Sequence, residues 1–167
     1  MAGSLEFIKS ASGTSVSSLS VTDCFSADYD VYFISTSKID TSSAGYVRPR
    51  FINSSGITTG SNYDQASIQL RSWTTFGEYP LVNYNSFLYT IYQTADSYAG
   101  TGLSMYVYNP YDSSSYTFMN SQSSSQNPNG HNGYKSIGVY KVAEQITGFA
   151  LTDITFDNVT VNVYGVK

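Results

Sequence analysis

The sequence has few charged residues, a single histidine and a single cysteine. Charged residues make up 12% of the 167 positions, about half the usual share. The eight basic residues are scattered and the net charge is −4. We therefore expect no nucleic-acid partner, because such partners are attracted by clustered Lys and Arg. We also expect no membrane partner, since no apolar run approaches the length of a membrane span.

Cys24 is the only cysteine, so a disulfide within the chain is excluded. It lies in "VTDCFS", between two strand-like runs, and we interpret it as a small buried hydrophobe. The N-terminal stretch "MAGSLEFIKS" has no apolar core typical of a secretory signal. We therefore expect the chain to be made and folded in a cytoplasm.

The residues that catalysis or metal binding requires are scarce. His131 is the only base available for a nucleophilic triad, and it lies in a turn-rich stretch. The acidic pairs Asp28/Asp30 and Asp153/Asp157 are the candidates for glycosidase chemistry. Asp28 and Asp30 lie at the start of a predicted strand, however, where Asp is a common turn residue. The sequence contains no phosphate-binding loop, zinc spacing or calcium loop. We expect no enzyme activity, no catalytic residue, no metal and no cofactor.

Tyrosine and period-2 hydrophobic patterns dominate what remains. There are 16 tyrosines, and Tyr and Thr favour strands. Alternation predicts strands over 29–37, 45–52, 66–73, 86–92, 103–109, 134–142, 148–156 and 158–167. The last is the clearest, with Val159, Val161 and Val163 predicted inside. Pro49 predicts an edge or bulge in its strand. The fold class is therefore all-β: a single domain over 1–167, built as an antiparallel β-sandwich.

Two polar stretches connect the later strands. "NPYDSSSYT" (109–117) holds the turn formers Asn109-Pro110 and Asp112-Ser113, so local chemistry explains it as a connection. The Ser/Asn/Gln-rich stretch 121–133 holds two Asn-Gly pairs, and we predict a long flexible loop there. Neither stretch requires a catalytic role.

Several aromatic residues are predicted to lie outside the core. Tyr106 and Tyr108 are predicted to face away from Leu103, Met105 and Val107. Trp73, Tyr79, Tyr84, Tyr98 and Tyr111 lie in or beside predicted loops. Stacking on sugar rings, contact with another subunit and ordinary packing under loops all remain open. The candidate contacts with a partner or glycan are Trp73, Tyr79, Tyr106, Tyr108 and Tyr111.

Four stretches in order resemble small virion proteins of tailed bacteriophages, especially marine ones. They are "SLSVTDCFSADYDVYFI", "RFINSSGITTGSNYDQAS", "VYNPYDSSSYT" and the closing "VNVYGVK". Together they reach from about residue 15 to the C-terminus. The resemblance implies a jelly-roll-like β-sandwich in a phage particle, and it carries no catalytic residues to transfer.

The expected function is accordingly that of a virion structural protein. Because the sequence shows no repetitive shaft, we expect a capsid decoration or a head or tail appendage. We expect the chain to be a homo-oligomer, with a trimer as the commonest arrangement in such roles, in contact with other virion proteins. The alternative is a carbohydrate-binding module or the receptor-binding tip of a tail fibre, with a host surface glycan as its partner. A row of exposed aromatics on one sheet face would favour that alternative.

Overall fold

A computed structural model describes residues 4–93, 101–127 and 129–167. These ranges contain thirteen strands and no helix. In chain order the strands are β1 (Leu5–Val16), β2 (Leu19–Val21), β3 (Val31–Thr41), β4 (Gly45–Asn53), β5 (Gly56–Ile57), β6 (Tyr63–Arg71), β7 (Gly77–Tyr84), β8 (Ile91–Gln93), β9 (Gly102–Tyr108), β10 (Thr117–Asn127), β11 (Gly130–Tyr140), β12 (Gly148–Thr152) and β13 (Phe156–Val166).

The strands form two antiparallel sheets that pack as a sandwich. The larger sheet has eight strands in the order β1-β13-β3-β9-β10-β11-β6-β7. The smaller sheet has the order β2-β12-β4-β5, and β8 pairs with β4. The predicted all-β antiparallel sandwich is therefore confirmed. Nothing in the described ranges forms a helix long and apolar enough to cross a membrane.

Eight of the strands pair in a nested order along the chain. β1 pairs with β13, β2 with β12, β3 with β9, and β4 with β8. The remaining long strands, β6, β7, β10 and β11, come from two insertions in this scheme. These insertions pair with each other and extend the large sheet beyond β9. We call β1, β13, β3 and β9 the core half of this sheet, and β10, β11, β6 and β7 the extension half.

The core half buries an apolar inner face. Val159, Val161 and Val163 are at most 2% exposed, as their alternation predicts. Tyr32 and Ile34 of β3 and Met105 of β9 are buried beside them. The small sheet adds Phe149 and Leu151 to the same apolar cluster. Since one face of each strand is buried, a slip of one residue would expose the whole apolar set.

The extension half buries a polar inner face. Its inward side chains are mostly Ser and Gln, and they are less than 9% exposed: Gln65, Ser67, Gln69, Ser121, Ser123, Ser125, Asn132 and Ser136. The segment that precedes β8 lies against them. The Tyr89 carbonyl accepts a hydrogen bond from the Ser136 hydroxyl at 2.6 Å, and the Tyr89 N–H donates to Gln65 Oε1 at 3.1 Å. Hydrogen bonds thus replace part of the apolar packing here.

Two sequence predictions were wrong. Residues 121–127 and 130–133 belong to the paired strands β10 and β11 and do not form a long loop. The regular Ser spacing there places hydroxyls on the buried face. The predicted strand 86–92 is reduced to β8, because the residues before it form the segment that covers the extension half. The sequence reading also missed β1, β2, β5 and β7.

Pro49 lies where β4 lacks a strand on one side. β8 pairs with residues 45–47 and β5 with residues 52 and 53. Between them, the Pro49 carbonyl accepts a hydrogen bond from the Phe87 N–H at 3.1 Å. The missing proline donor therefore falls in a gap of the ladder, which agrees with the edge-like site that the sequence predicts.

Candidate functional site

The outer face of the eight-stranded sheet carries a row of aromatic rings across the core half. Phe7 pairs with Tyr164, Tyr164 with Phe33, and Phe33 with Tyr106. Successive ring centroids are 5.7, 6.1 and 5.0 Å apart. These are contact distances for aromatic pairs. We call these four residues the aromatic row.

The row remains accessible to solvent. Phe7 is 58% exposed and Tyr106 is 38% exposed, while Phe33 and Tyr164 are half-buried between them. Three of the rings alternate with buried neighbours on their own strands, as Tyr164 does with Val163, and Phe7 precedes the partly buried Ile8. The strand period of two therefore fixes the outward direction of the rings. The strands β13, β3 and β9 are hydrogen-bonded on both sides. Their rings are therefore held in place before any partner binds.

The same transverse register continues across the extension half. Tyr106 pairs with Asn120, which pairs with Ile137, which is followed by Ala66 and Pro80. The next row runs through Ser104, Gln122, Lys135, Ile68 and Glu78. Together these ten residues line most of a groove of about 720 Å³. Its volume is in the range of ligand sites.

The exposed large hydrophobic residues are concentrated on this outer face. Those on it are Leu5, Phe7, Ile68, Val82, Tyr106, Phe118 and Ile137, and the others are Ile57, Trp73, Phe76 and Tyr116. Ile137 is 65% exposed at the middle of a paired strand. Large exposed apolar patches are uncommon on monomers and are typical of interaction sites, so we take this face as the candidate interaction surface.

The structure brings only two of the five candidate contacts to this face. Tyr106 belongs to both the aromatic row and the groove. Tyr108 lies on the same side of β9, and its hydroxyl accepts a hydrogen bond from Asn120 Nδ2 at 2.9 Å. Trp73 lies in the β6–β7 loop, 37% exposed, close to Gly130. Tyr111 lies in the turn after β9, half-buried.

Tyr79, the fifth candidate, points into the protein. Its ring lies 4.6 Å from that of Tyr89 and 6.1 Å from that of Tyr134. Its hydroxyl donates a hydrogen bond to Gln69 Oε1 at 3.1 Å. Packing is therefore the role that its contacts support. Tyr84 is half-buried at the end of β7, and Tyr98 lies outside the described residues.

Three of the aromatic-row residues were not singled out in the sequence as candidate contacts. Phe33 and Tyr164 both lie on strands that the alternation identifies, on the face opposite the buried Ile34 and Val163. The signal was therefore present, but register between distant strands was needed to align them. Phe7 lies on β1, which the sequence reading did not assign to a strand.

Three buried tyrosines have strongly raised pKa values. Burial raises the pKa of Tyr63 to about 12, and its hydroxyl accepts a hydrogen bond from the Phe51 N–H at 2.9 Å. Burial and a hydrogen bond with Tyr46 raise the pKa of Tyr134. Burial, with a hydrogen bond donated to Glu144, raises the pKa of Tyr140. All three lie on β6 or β11, and the neutral phenol is the form that the fold stabilises.

The remaining reactive residues take part in local contacts. Cys24 is 2% exposed, and burial raises the pKa of its thiol to about 12, so its predicted burial is confirmed. Asp153 pairs with Arg50 at 2.5 Å. His131 Nε2 lies 3.3 Å from the Ser124 hydroxyl on the surface. Within the described ranges no group of three or more His, Cys, Asp or Glu could hold a metal ion.

No family model, curated protein or solved structure matches the chain. The resemblance to phage virion proteins therefore depends on the quoted sequence motifs alone.

Proposed function

We propose that the chain is a structural subunit of a bacteriophage virion, a capsid decoration or a head or tail appendage displayed on the particle surface. The observation that carries the proposal is the uncovered outer face with its aromatic row. Aromatic residues are enriched in subunit interfaces, and tyrosine gives contact area at a low entropic cost. The phage particle is proposed as the place of assembly because the four sequence stretches resemble phage virion proteins.

The nested strand pairing supports a jelly-roll description of the core. In a jelly roll, eight strands pair from the chain ends inward and divide between two sheets. The pairs β1/β13, β2/β12, β3/β9 and β4/β8 follow that order. Viral capsid domains are among the proteins that use this architecture. The fold alone does not define function, so it supports the proposal only together with the outer face.

The core half of the outer face is large enough for a stable subunit contact. The strands β1, β13, β3 and β9 have 12, 11, 11 and 7 residues. At ~3.4 Å per residue and a strand spacing of ~4.8 Å they cover about 670 Å², within the ~600–1,000 Å² that each partner contributes to a standard interface. We therefore propose homo-oligomerisation through this half, and a trimer is the expected arrangement on the particle.

Low charge also favours many copies side by side. The chain carries a net charge of −4 over 167 residues, and the aromatic row contains no charged residue. Repulsion between neighbouring copies is correspondingly weak. Other virion proteins would contact the remaining surface.

The test is the copy number of the protein in purified particles. Quantitative mass spectrometry of phage particles purified by density gradient should find the chain at many copies per particle, at a constant ratio to the major capsid protein. Removal of the chain from the particles by high salt or by dilution should leave the particles intact. A chain that is absent from purified particles, although abundant in the infected cell, would exclude the structural role.

A further inference from the structure

We infer that the groove on the extension half binds a neutral polysaccharide chain laid across the strands. This binding site goes beyond the proposed assembly role, and it shares only Tyr106 with the aromatic row. Its lining comes from five adjacent strands, β9, β10, β11, β6 and β7. Four strand spacings give it a length of ~19 Å, which is suited to an elongated ligand.

The groove combines a mainly apolar row of side chains with a mainly polar row beside it. Its apolar part is formed by Tyr106, Ile137, Ala66, Pro80 and Ile68. These can contact the C–H faces of sugar rings. Amide groups flank this apolar part at Asn120 and Gln122. An amide both donates and accepts hydrogen bonds, as neighbouring sugar hydroxyls require. Asn120 Nδ2 already donates to the Tyr108 hydroxyl, but a purely apolar ligand would bury the Gln122 amide without a partner, which is costly.

Polar side chains of the groove also have unused hydrogen-bonding capacity. Among the described residues, none hydrogen-bonds or pairs with the side chains of Gln122, Lys135 or Glu78. By contrast, Lys141, directly after β11, pairs with Asp64 of β6 at 2.8 Å. Lys135 and Glu78 carry opposite charges on either side of Ile68. The groove is therefore electrically balanced, and this favours an uncharged ligand over an acidic polysaccharide or a nucleic acid.

The shape of the groove argues against protein occupants. A second copy related by a two-fold axis over the groove would set one concave surface against another. A peptide that adds as a strand needs an unpaired sheet edge. β10, β11 and β6, at the centre of the groove, are paired on both sides. A single polysaccharide chain can lie in a concave groove and contacts side chains only, so it needs neither a flat partner surface nor an unpaired strand.

The test uses native affinity electrophoresis with a fixed set of soluble polysaccharides. The neutral ones are laminarin, galactomannan, xylan and dextran, and alginate is the anionic one. We expect at least one neutral polysaccharide to retard the protein. Ile137→Glu should weaken that binding about tenfold or more, equivalent to ~1.4 kcal/mol. The double variant Asn120→Ala/Gln122→Ala should weaken it as well, with the apolar part of the groove intact.

Val82→Glu is the matched control. Val82 is also a branched aliphatic residue on the outer face, 69% exposed compared with 65% for Ile137, but it lies outside the groove lining. Polysaccharide binding by Val82→Glu should remain at the wild-type level. Circular dichroism should show that all variants are folded. The inference is overturned if no neutral polysaccharide binds, if alginate alone binds, or if Ile137→Glu binds as the control does. A loss of oligomer in Ile137→Glu but not in the control would assign the groove to a second copy and overturn it too.

Discussion

The core half and the extension half of the large sheet differ on both of their faces. The core half buries Val, Ile and Met and exposes a row of aromatic rings. The extension half buries Ser, Gln and Tyr and exposes a groove of mixed chemistry. Both halves belong to one continuous ladder, so backbone pairing does not account for the difference. The difference lies in the cover. Phe149 and Leu151 of the small sheet belong to the apolar cluster that includes the inner face of the core half. The extension half is covered partly by Phe51 of the small sheet, which packs on Tyr63 and Tyr140, and partly by the segment before β8, which hydrogen-bonds to it.

This difference predicts two kinds of stability within one domain. In the core half, stability comes from apolar area, which is insensitive to the exact position of each atom. In the extension half, it depends on hydrogen bonds that are costly when one partner is removed. The extension half is also the part formed by insertions into the nested pairing, and it carries the groove. We therefore propose assembly as the role of the core half and ligand recognition as the role of the extension half.

The largest effect is expected for truncation in the core half. Ile34 is 0% exposed on β3. Ile34→Ala should lower the free energy of unfolding by about 2–5 kcal/mol, because it removes apolar contacts and leaves a cavity. Urea unfolding should show a lower midpoint with an unchanged slope. A loss below ~1 kcal/mol, the range of an isosteric change, would show that the core half is not the main apolar core.

The next effect is alkaline destabilisation through Tyr63. Its folded pKa of about 12 lies above the unfolded value of about 10. The contribution of the neutral phenol is therefore fully present below pH 10 and is lost as the pH rises to 12. The loss amounts to ~2–3 kcal/mol at 1.36 kcal/mol per pKa unit. Unfolding free energies measured from pH 9 to 12 should fall more steeply for wild type than for Tyr63→Phe, and parallel curves would contradict this assignment.

A smaller effect is expected from a buried hydroxyl of the extension half. Ser136 donates to the Tyr89 carbonyl at 2.6 Å and accepts from the Ser67 hydroxyl at 2.9 Å. Ser136→Ala leaves both groups without that partner and should cost about 1–3 kcal/mol. Ser124→Ala on the exposed side of β10 is the control, with an expected cost within about 0.5 kcal/mol. Equal costs for the two variants would show that the polar inner face contributes nothing specific.

No measurable effect is expected at Cys24 under native conditions. The buried thiol donates to the Val21 carbonyl at 3.3 Å, and its raised pKa leaves little thiolate at pH 8. A maleimide reagent should label the folded protein far more slowly than the protein in urea. Rapid labelling without denaturant would show that the β2–β3 connection opens readily.

Alternation along single strands predicted much of the fold, and pairing between distant strands explains most of what it missed. Val159, Val161 and Val163 were identified because apolar and polar residues alternate without exception. The Ser spacing over 121–133 gave the opposite result. Serine is a turn former by itself, and the pairing of β10 with β9 and β11, which makes this stretch a strand, is not visible in a local pattern.

Only part of the candidate site was predicted, again because a local pattern does not show which distant strands pair. The outward direction of Tyr106 and Tyr108 follows from their alternation with the buried Leu103, Met105 and Val107. Their alignment with Phe33, Tyr164 and Phe7 depends on the register of β9, β3, β13 and β1, which no local pattern encodes. The groove is still harder to predict from the sequence, because its lining residues come from five strands spread over 66–137. Tyr79 was misjudged as a loop aromatic because the sequence did not reveal β7.

The most direct test of the central claim, that the outer face of the core half is a subunit interface, is light scattering of a matched pair of variants. Phe7 lies in the aromatic row, 58% exposed, and Phe76 lies in the β6–β7 loop, 71% exposed. Phe7→Glu and Phe76→Glu change the net charge equally. Wild type and Phe76→Glu should show a multiple of the 18.3 kDa chain mass, and Phe7→Glu should shift toward the single-chain mass. A wild-type protein that stays at 18.3 kDa at high concentration, or equal masses for the two variants, would contradict the account.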